Sequence, residues 1–182
     1  MSKIAVVVGH SETDPGAVNK NGRTEFEYNS ELSSIVCDEL IQLGHEPIVV
    51  WRDRAYREMP SKVNMLDVDY SIELHCNAFD TSATGSEVLF YRGSRFGMYL
   101  ARTIQKSIVA CLGLHDRGAK WREAGDRGGL MLQKTRAPHV ILEPFFIDNP
   151  NDLQVGERLQ HELGVAIARA CHEYSERDHD QH

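Results

Sequence analysis

Lys3-Ile4-Ala5-Val6-Val7-Val8-Gly9, followed at once by His10, is the stretch from which the rest of the chain is read. Its five consecutive apolar residues are mostly β-branched and far too few to span a membrane. They are also too continuous for a strand with one wet face. A run of this kind reads as a strand buried on both faces, as in parallel sheets sandwiched between helices.

The pattern extends outward in both strand and helix periods. A polar loop over residues 10–23 carries the turn signals Asp14-Pro15-Gly16 and Asn21-Gly22. Thr24-Glu25-Phe26-Glu27 fits a capping box, with Thr24 as N-cap, and opens a helix whose apolar face is Leu32, Ile35, Val36 and Leu40. Gly44 stops it. Residues 46–51, 70–74 and 86–91 read as further strands, with a short helix at 61–66 after Pro60. Residues 94–112 read as a helix with Ala101, Ile104, Ile108 and Leu112 in register. The glycine-rich, charged stretch 113–129 reads as a long loop. Residues 129–132 and 139–142 read as two more strands, and 152–174 as one final helix. The expectation is a single α/β domain over residues 1–175, with a mostly parallel sheet and helices on both faces, then a polar tail over 176–182.

Composition narrows the partners. With 182 residues, 41% hydrophobic and 26% charged, the chain suits one globular domain with its own core. A formal charge of −7 argues against nucleic acid, whose binding rests on Lys and Arg against phosphates. No run of 18 apolar residues occurs, so no membrane insertion is expected, and the opening MSKIAVVVGHSE lacks the pattern of a signal peptide. Cys37, Cys76, Cys111 and Cys171 are widely spaced with no CxxC pair, and read as reduced, half-buried thiols.

In open α/β sheets, sites form at the carboxyl ends of strands. His10, His75 and Glu143 each fall at such an end. Glu143 interrupts the apolar run Val140-Ile141-Leu142-Glu143-Pro144-Phe145-Phe146, where a bare carboxylate is costly without a purpose or a partner. Taken alone it reads equally as half of a buried ion pair, and a lone His75 or His10 as a hydrogen-bonded structural residue. Glu25, at the first turn of its helix, reads alone as a complement to the helix dipole. Glu12, Asp14, Glu27 and Glu73 are rival carboxylates that position cannot rank. Two histidines and a glutamate together would make a three-ligand zinc site with a fourth place for water, and another carboxylate would supply the general base. No HExxH helix is present.

Four ordered blocks carry a family resemblance. Val8-Gly9-His10 with Asp14-Pro15-Gly16-Ala17, and Thr24-Glu25-Phe26-Glu27-Tyr28-Asn29, resemble the opening of the zinc-type N-acetylmuramoyl-L-alanine amidases called amidase 3. Ile72-Glu73-Leu74-His75-Cys76-Asn77-Ala78, followed by Gly85-Ser86-Glu87-Val88, resembles that family's central histidine segment. Val140-Ile141-Leu142-Glu143, with Phe146-Ile147-Asp148-Asn149 and Asp152, resembles its catalytic-glutamate segment. The blocks run in the family's order from residue 3 to about 170, and look most like amidase domains of clostridial phage endolysins. Departures are Ser11 where a second glycine is frequent, Cys76 where a small residue is frequent, and Pro144.

The resemblance implies a largely parallel, six-stranded twisted sheet. It implies one zinc ion on His10, Glu25 and His75, Glu25 being selected by the pattern Glu-x-x-x-Asn, with Glu143 as the catalytic carboxylate. The implied reaction is hydrolysis of the amide between N-acetylmuramic acid and L-alanine in peptidoglycan. Asn77, Arg117 and Lys120 are candidate substrate contacts, and Arg122 and Arg127 lie in the same charged stretch. A monomeric endolysin, made in the cytoplasm and reaching the wall after the membrane is breached, is the expected setting. A zinc peptidase of the stem peptide and a non-catalytic wall-binding module are the alternatives.

Overall fold

The opening apolar run forms β1 (Lys3–Val8), buried from Ile4 to Val8. In the computed structural model, which describes residues 1–179, it lies between β2 (Glu46–Val50) and β3 (Tyr70–Leu74). With β4 (Ser86–Tyr91), β5 (Asp116–Arg122) and β6 (His139–Glu143) they make a six-stranded sheet in the order β2-β1-β3-β6-β4-β5. Every neighbouring pair is parallel except β4 with β6, which is antiparallel.

Helices cover both faces, which is why β1 is apolar without interruption from Ile4 to Val8. On one face α1 (Glu25–Gln42), α3 (Arg95–Leu112) and α6 (Gln160–His179) pack Leu32, Ile104 and Ile167 against Ile4, Val6, Ile72 and Leu142. On the other, α2 (Met59–Asn64) and α4 (Gly129–Lys134) set Met59, Val63 and Met131 against Ala5 and Val7. The remaining helix is α5 (Pro150–Arg158). Among the described residues no helix is long and apolar enough to cross a membrane. The four cysteines are free thiols.

Four readings of the sequence are corrected. The expected loop over 113–129 contains β5, an edge strand whose single neighbour and mixed exposure leave its residues charged. Its register with β4 shifts between Ser86 and Glu87, so Ser86 faces Asp116 while Glu87 faces Gly118 and Arg117 bulges out. Residues 129–132, read as a strand from a short apolar run, begin α4; a stretch that short carries no decisive period. The single final helix is two, broken at Leu159. The Tyr28 hydroxyl donates to the Gly156 carbonyl at 2.8 Å, in the turn just before the break. The tail expected over 176–182 continues α6 as far as His179, and residues 180–182 lie outside the described residues. Pro144 follows β6, an inner strand, and takes no part in its ladder.

The capping box is present as read. Thr24 Oγ1 accepts from the Glu27 amide at 3.1 Å, and Glu27 carries the reciprocal bond from the Thr24 amide at 3.0 Å. It fixes the start of α1, and so the position of Glu25 at the first helical residue. Thr24→Ala is expected to lower stability by about 0.5–2 kcal/mol in denaturant unfolding. No loss would mean that tertiary packing alone sets this helix end.

Candidate functional site

Because β1, β3 and β6 run the same way, their carboxyl ends meet at one border of the sheet. His10 follows β1, His75 follows β3 and Glu143 ends β6. The antiparallel β4 brings its second residue there as well, Glu87 lying opposite Glu143. The start of α1 delivers Glu25 from the side.

Glu25 is completely buried. One carboxylate oxygen lies 2.7 Å from His75 Nδ1, and the other 3.3 Å from His10 Nε2. Each oxygen also accepts one backbone amide, from Cys76 and from Ala17, both at 3.0 Å. Burial alone would raise the Glu25 pKa. The hydrogen bond from His75 and the charge of the two rings outweigh it and hold the carboxyl below its ordinary range. Burial pushes the His10 pKa down, favouring the neutral imidazole a cation requires. For His75 burial acts downward too, but the hydrogen bonds to Glu25 and Glu73 win and raise it.

His10, Glu25 and His75 can each point one ligand atom to a common centre, all within 4.8 Å of one another. Two imidazoles and a carboxylate suit a divalent transition cation. His10 Nδ1 has no hydrogen-bond partner, so its ring is not committed elsewhere. The approach is tight enough to demand glycine at two places. A Cβ at Gly9 would stand 2.5 Å from the Leu74 carbonyl oxygen and 2.6 Å from His75 Cε1. At Gly16, with φ +77°, it would stand 2.6 Å from Glu25 Oε2. His10 itself has φ 67°, a conformation that costs a non-glycine residue energy and turns its ring back toward Glu25.

Glu143 shares with His10 and His75 a groove of about 360 Å³, whose floor includes Val7, Leu89 and Ile141. Its Oε2 is buried with no hydrogen-bond partner. Burial among these apolar side chains is the largest cause lifting its pKa to about 7. A carboxylate so held resembles a general base tuned toward neutral pH.

The other nominated residues meet at a different point. Arg117 Nε and Lys120 Nζ reach the same oxygen of Glu87, at 2.7 and 2.6 Å, and Asn77 Nδ2 donates to its partner oxygen at 3.3 Å. Arg122 joins at 3.7 Å. Glu87, only 4% exposed, organises this cluster and was not singled out in the sequence. Its signal was an acidic residue in an otherwise apolar strand. Arg127 lines the groove directly, beside Arg52, which pairs with Asp14 at 2.8 Å. The rival carboxylates fall elsewhere: Glu12 is exposed, Glu27 serves the cap, and Glu73 contacts His75 from the groove side. Cys76 touches the site through its amide alone. Its buried thiol lies 3.9 Å from Asn29 Oδ1, and burial raises its pKa.

The Glu143 environment makes a measurable demand on stability. Its carboxyl holds a proton to about pH 7 when folded, against an ordinary 4.5. Glu143→Gln should therefore match the parent below pH 4.5 and gain on it as pH rises to 7. The gain should reach about 3 kcal/mol above that in metal-free protein, at roughly 1.36 kcal/mol per pH unit. Equal stabilities at pH 8 would show that the carboxylate is well solvated.

Comparison with known proteins agrees with this architecture. A family model described as N-acetylmuramoyl-L-alanine amidase, amidase 3, matches residues 4–173. The chain is 29% identical over 151 residues to N-acetylmuramoyl-L-alanine amidase LytC of Bacillus subtilis, covering 79% of this chain but 29% of that protein. It is 28% identical over 179 residues to the uncharacterized protein YqiI of the same organism, covering 94% and 84%. Among solved structures, the catalytic domain of the CD27L endolysin targeting Clostridia Difficile superposes with a TM-score of 0.76 at 27% identity, covering 93% of this chain and 96% of that one. Matched along nearly its whole length, with its candidate metal ligands gathered at one sheet border, the chain belongs to the amidase 3 family of N-acetylmuramoyl-L-alanine amidases.

Proposed function

We propose that this protein is a zinc-dependent hydrolase of the amide joining N-acetylmuramic acid to the L-alanine of peptidoglycan stem peptides. The observation that carries the mechanism is the pairing, across one groove, of the His10–Glu25–His75 cluster with a buried carboxylate oxygen of Glu143 that has no partner. His10, Glu25 and His75 would hold one zinc ion, which when bound lowers the pKa of a coordinated water to about 7 and polarises the scissile carbonyl. Glu143 takes the proton of the attacking water and returns it to the leaving nitrogen of L-alanine. The apolar floor beneath Glu143 keeps its basicity matched to that task. Arg127 in the groove wall, and the cations gathered on Glu87, are suited to carboxylates of the stem peptide.

The likeness to the CD27L endolysin domain supports a lytic role of the phage or prophage kind. Arg127 is also the feature on which a stem-peptide peptidase would rely, and product analysis separates the two. An amidase releases muramoyl lactyl groups together with L-alanine amino termini. Amino termini within the stem alone would establish the peptidase.

Purified protein is expected to carry one zinc per chain by elemental analysis, to lose wall-digesting activity to a chelator, and to regain it with added zinc. Hydrolysis that resists full zinc removal would overturn the metal mechanism. Glu143→Ala should keep its fold and zinc while turnover falls by about 10²–10⁴-fold. Parent-like turnover in that variant would remove Glu143 from the reaction.

A further inference from the structure

The groove side of the sheet carries a second file of polar groups that the proposed reaction leaves unused. Ser71, Glu73 and His75 alternate along β3, and His139 opens β6 in register with Ser71. Glu73 Oε1 lies 3.1 Å from His75 Nε2, and its Oε2 lies 3.1 Å from His139 Nε2. His139 Nδ1 lies 2.7 Å from Ser71 Oγ. Ser71, Glu73 and His139 are buried, the His139 side chain completely, and His75 is half-buried.

The hydrogens can be assigned by counting donors. An ionised carboxylate only accepts, so both Nε2 atoms that meet Glu73 carry hydrogen. With no cation present the same count puts a hydrogen on His75 Nδ1, which donates to Glu25; a bound cation takes the place of that hydrogen and leaves a neutral ring with Nε2–H. His139 by the same count has a bare Nδ1, which accepts from the Ser71 hydroxyl.

Packing does not call for a carboxylate here. The cross-strand neighbours of Glu73 are Val7 and Ile141, and an aliphatic side chain would suit them without the cost of burying charge. Glu73 is also outside the cluster able to reach a common cation, which among the described residues is His10, Glu25 and His75.

We propose that Glu73 is a positioning residue that fixes the tautomer and ring plane of His75 so that Nδ1 faces the cation, with His139, held by Ser71, locking Glu73 in place. The inference rests on the zinc reading above. Metal-bound histidines commonly donate their other N–H to a carboxylate, and losing that partner weakens metal binding by about 10–100-fold.

The test is zinc affinity by competition with a chromophoric chelator, together with histidine tautomers by ¹⁵N NMR, on the full chain. The parent should bind zinc with Nε2–H on both His75 and His139. Glu73→Ala, folded by circular dichroism, should bind zinc about 10–100-fold more weakly. In Glu73→Gln the carboxamide oxygen can still accept from His75, but its NH₂ must face His139 Nε2. That variant should bind zinc nearly as the parent does, with the His139 hydrogen moved to Nδ1. Parent-like affinity in Glu73→Ala, or an unchanged His139 tautomer in Glu73→Gln, would overturn the proposal, and the second readout decides even where Glu73→Ala fails to fold. A parent protein that takes up no zinc overturns the metal reading and this inference with it.

Discussion

The site depends on how a fully buried glutamate is kept ionised. Glu25 has lost all contact with water, and a bare carboxylate there would be prohibitive. Its charge is met by two backbone amides and two imidazoles, drawn from the loop after β1 and the turn after β3. Each contributor is placed by something larger. The parallel pairing of β1 with β3 sets the two histidines side by side. The cap at Thr24 sets where the helix begins. The two glycines at positions 9 and 16 let the pieces close to contact distance. The positive φ of His10 is a cost absorbed by the same closure.

The same border of the sheet separates two carboxylates by environment. Glu25 is held below its ordinary range by donors on both oxygens, while Glu143, a short way along, is lifted to about 7 by apolar neighbours and a missing partner. Identical functional groups are thereby suited to opposite tasks, one to stay charged and the other to exchange a proton near neutrality. Glu87 is a third case. It stays below its ordinary range because Lys120 and Arg117 outweigh its burial, and it serves to hold those cations at the groove's edge.

Much of this was legible in the residues. The continuous apolar run at 4–8 announced a two-sided strand, and the strand-end rule singled out His10, His75 and Glu143 before any coordinates. Glu25 was not separable from its rivals by position, because its role depends on a fold that turns the start of α1 toward the ends of β1 and β3; resemblance alone chose it. Strand β5 was hidden because an edge strand with one neighbour needs no apolar pattern. Helix α4 was hidden because a short apolar run has no period to read. The break before α6 lies beside a tertiary contact, the Tyr28 hydroxyl of a distant helix on the Gly156 carbonyl, that no local pattern displays. Glu73 was visible in principle: a residue two before His75 on a strand must share its face.

The irregular pairing at Ser86 and Glu87 has an effect beyond the groove. The outermost strand, β5, displaces Arg117 from the ladder and carries charge along its length. That border therefore lacks the flat, regular row of free amides and carbonyls on which a second molecule's strand could settle. The feature that gathers cations beside the groove also disfavours growth of the sheet at that border.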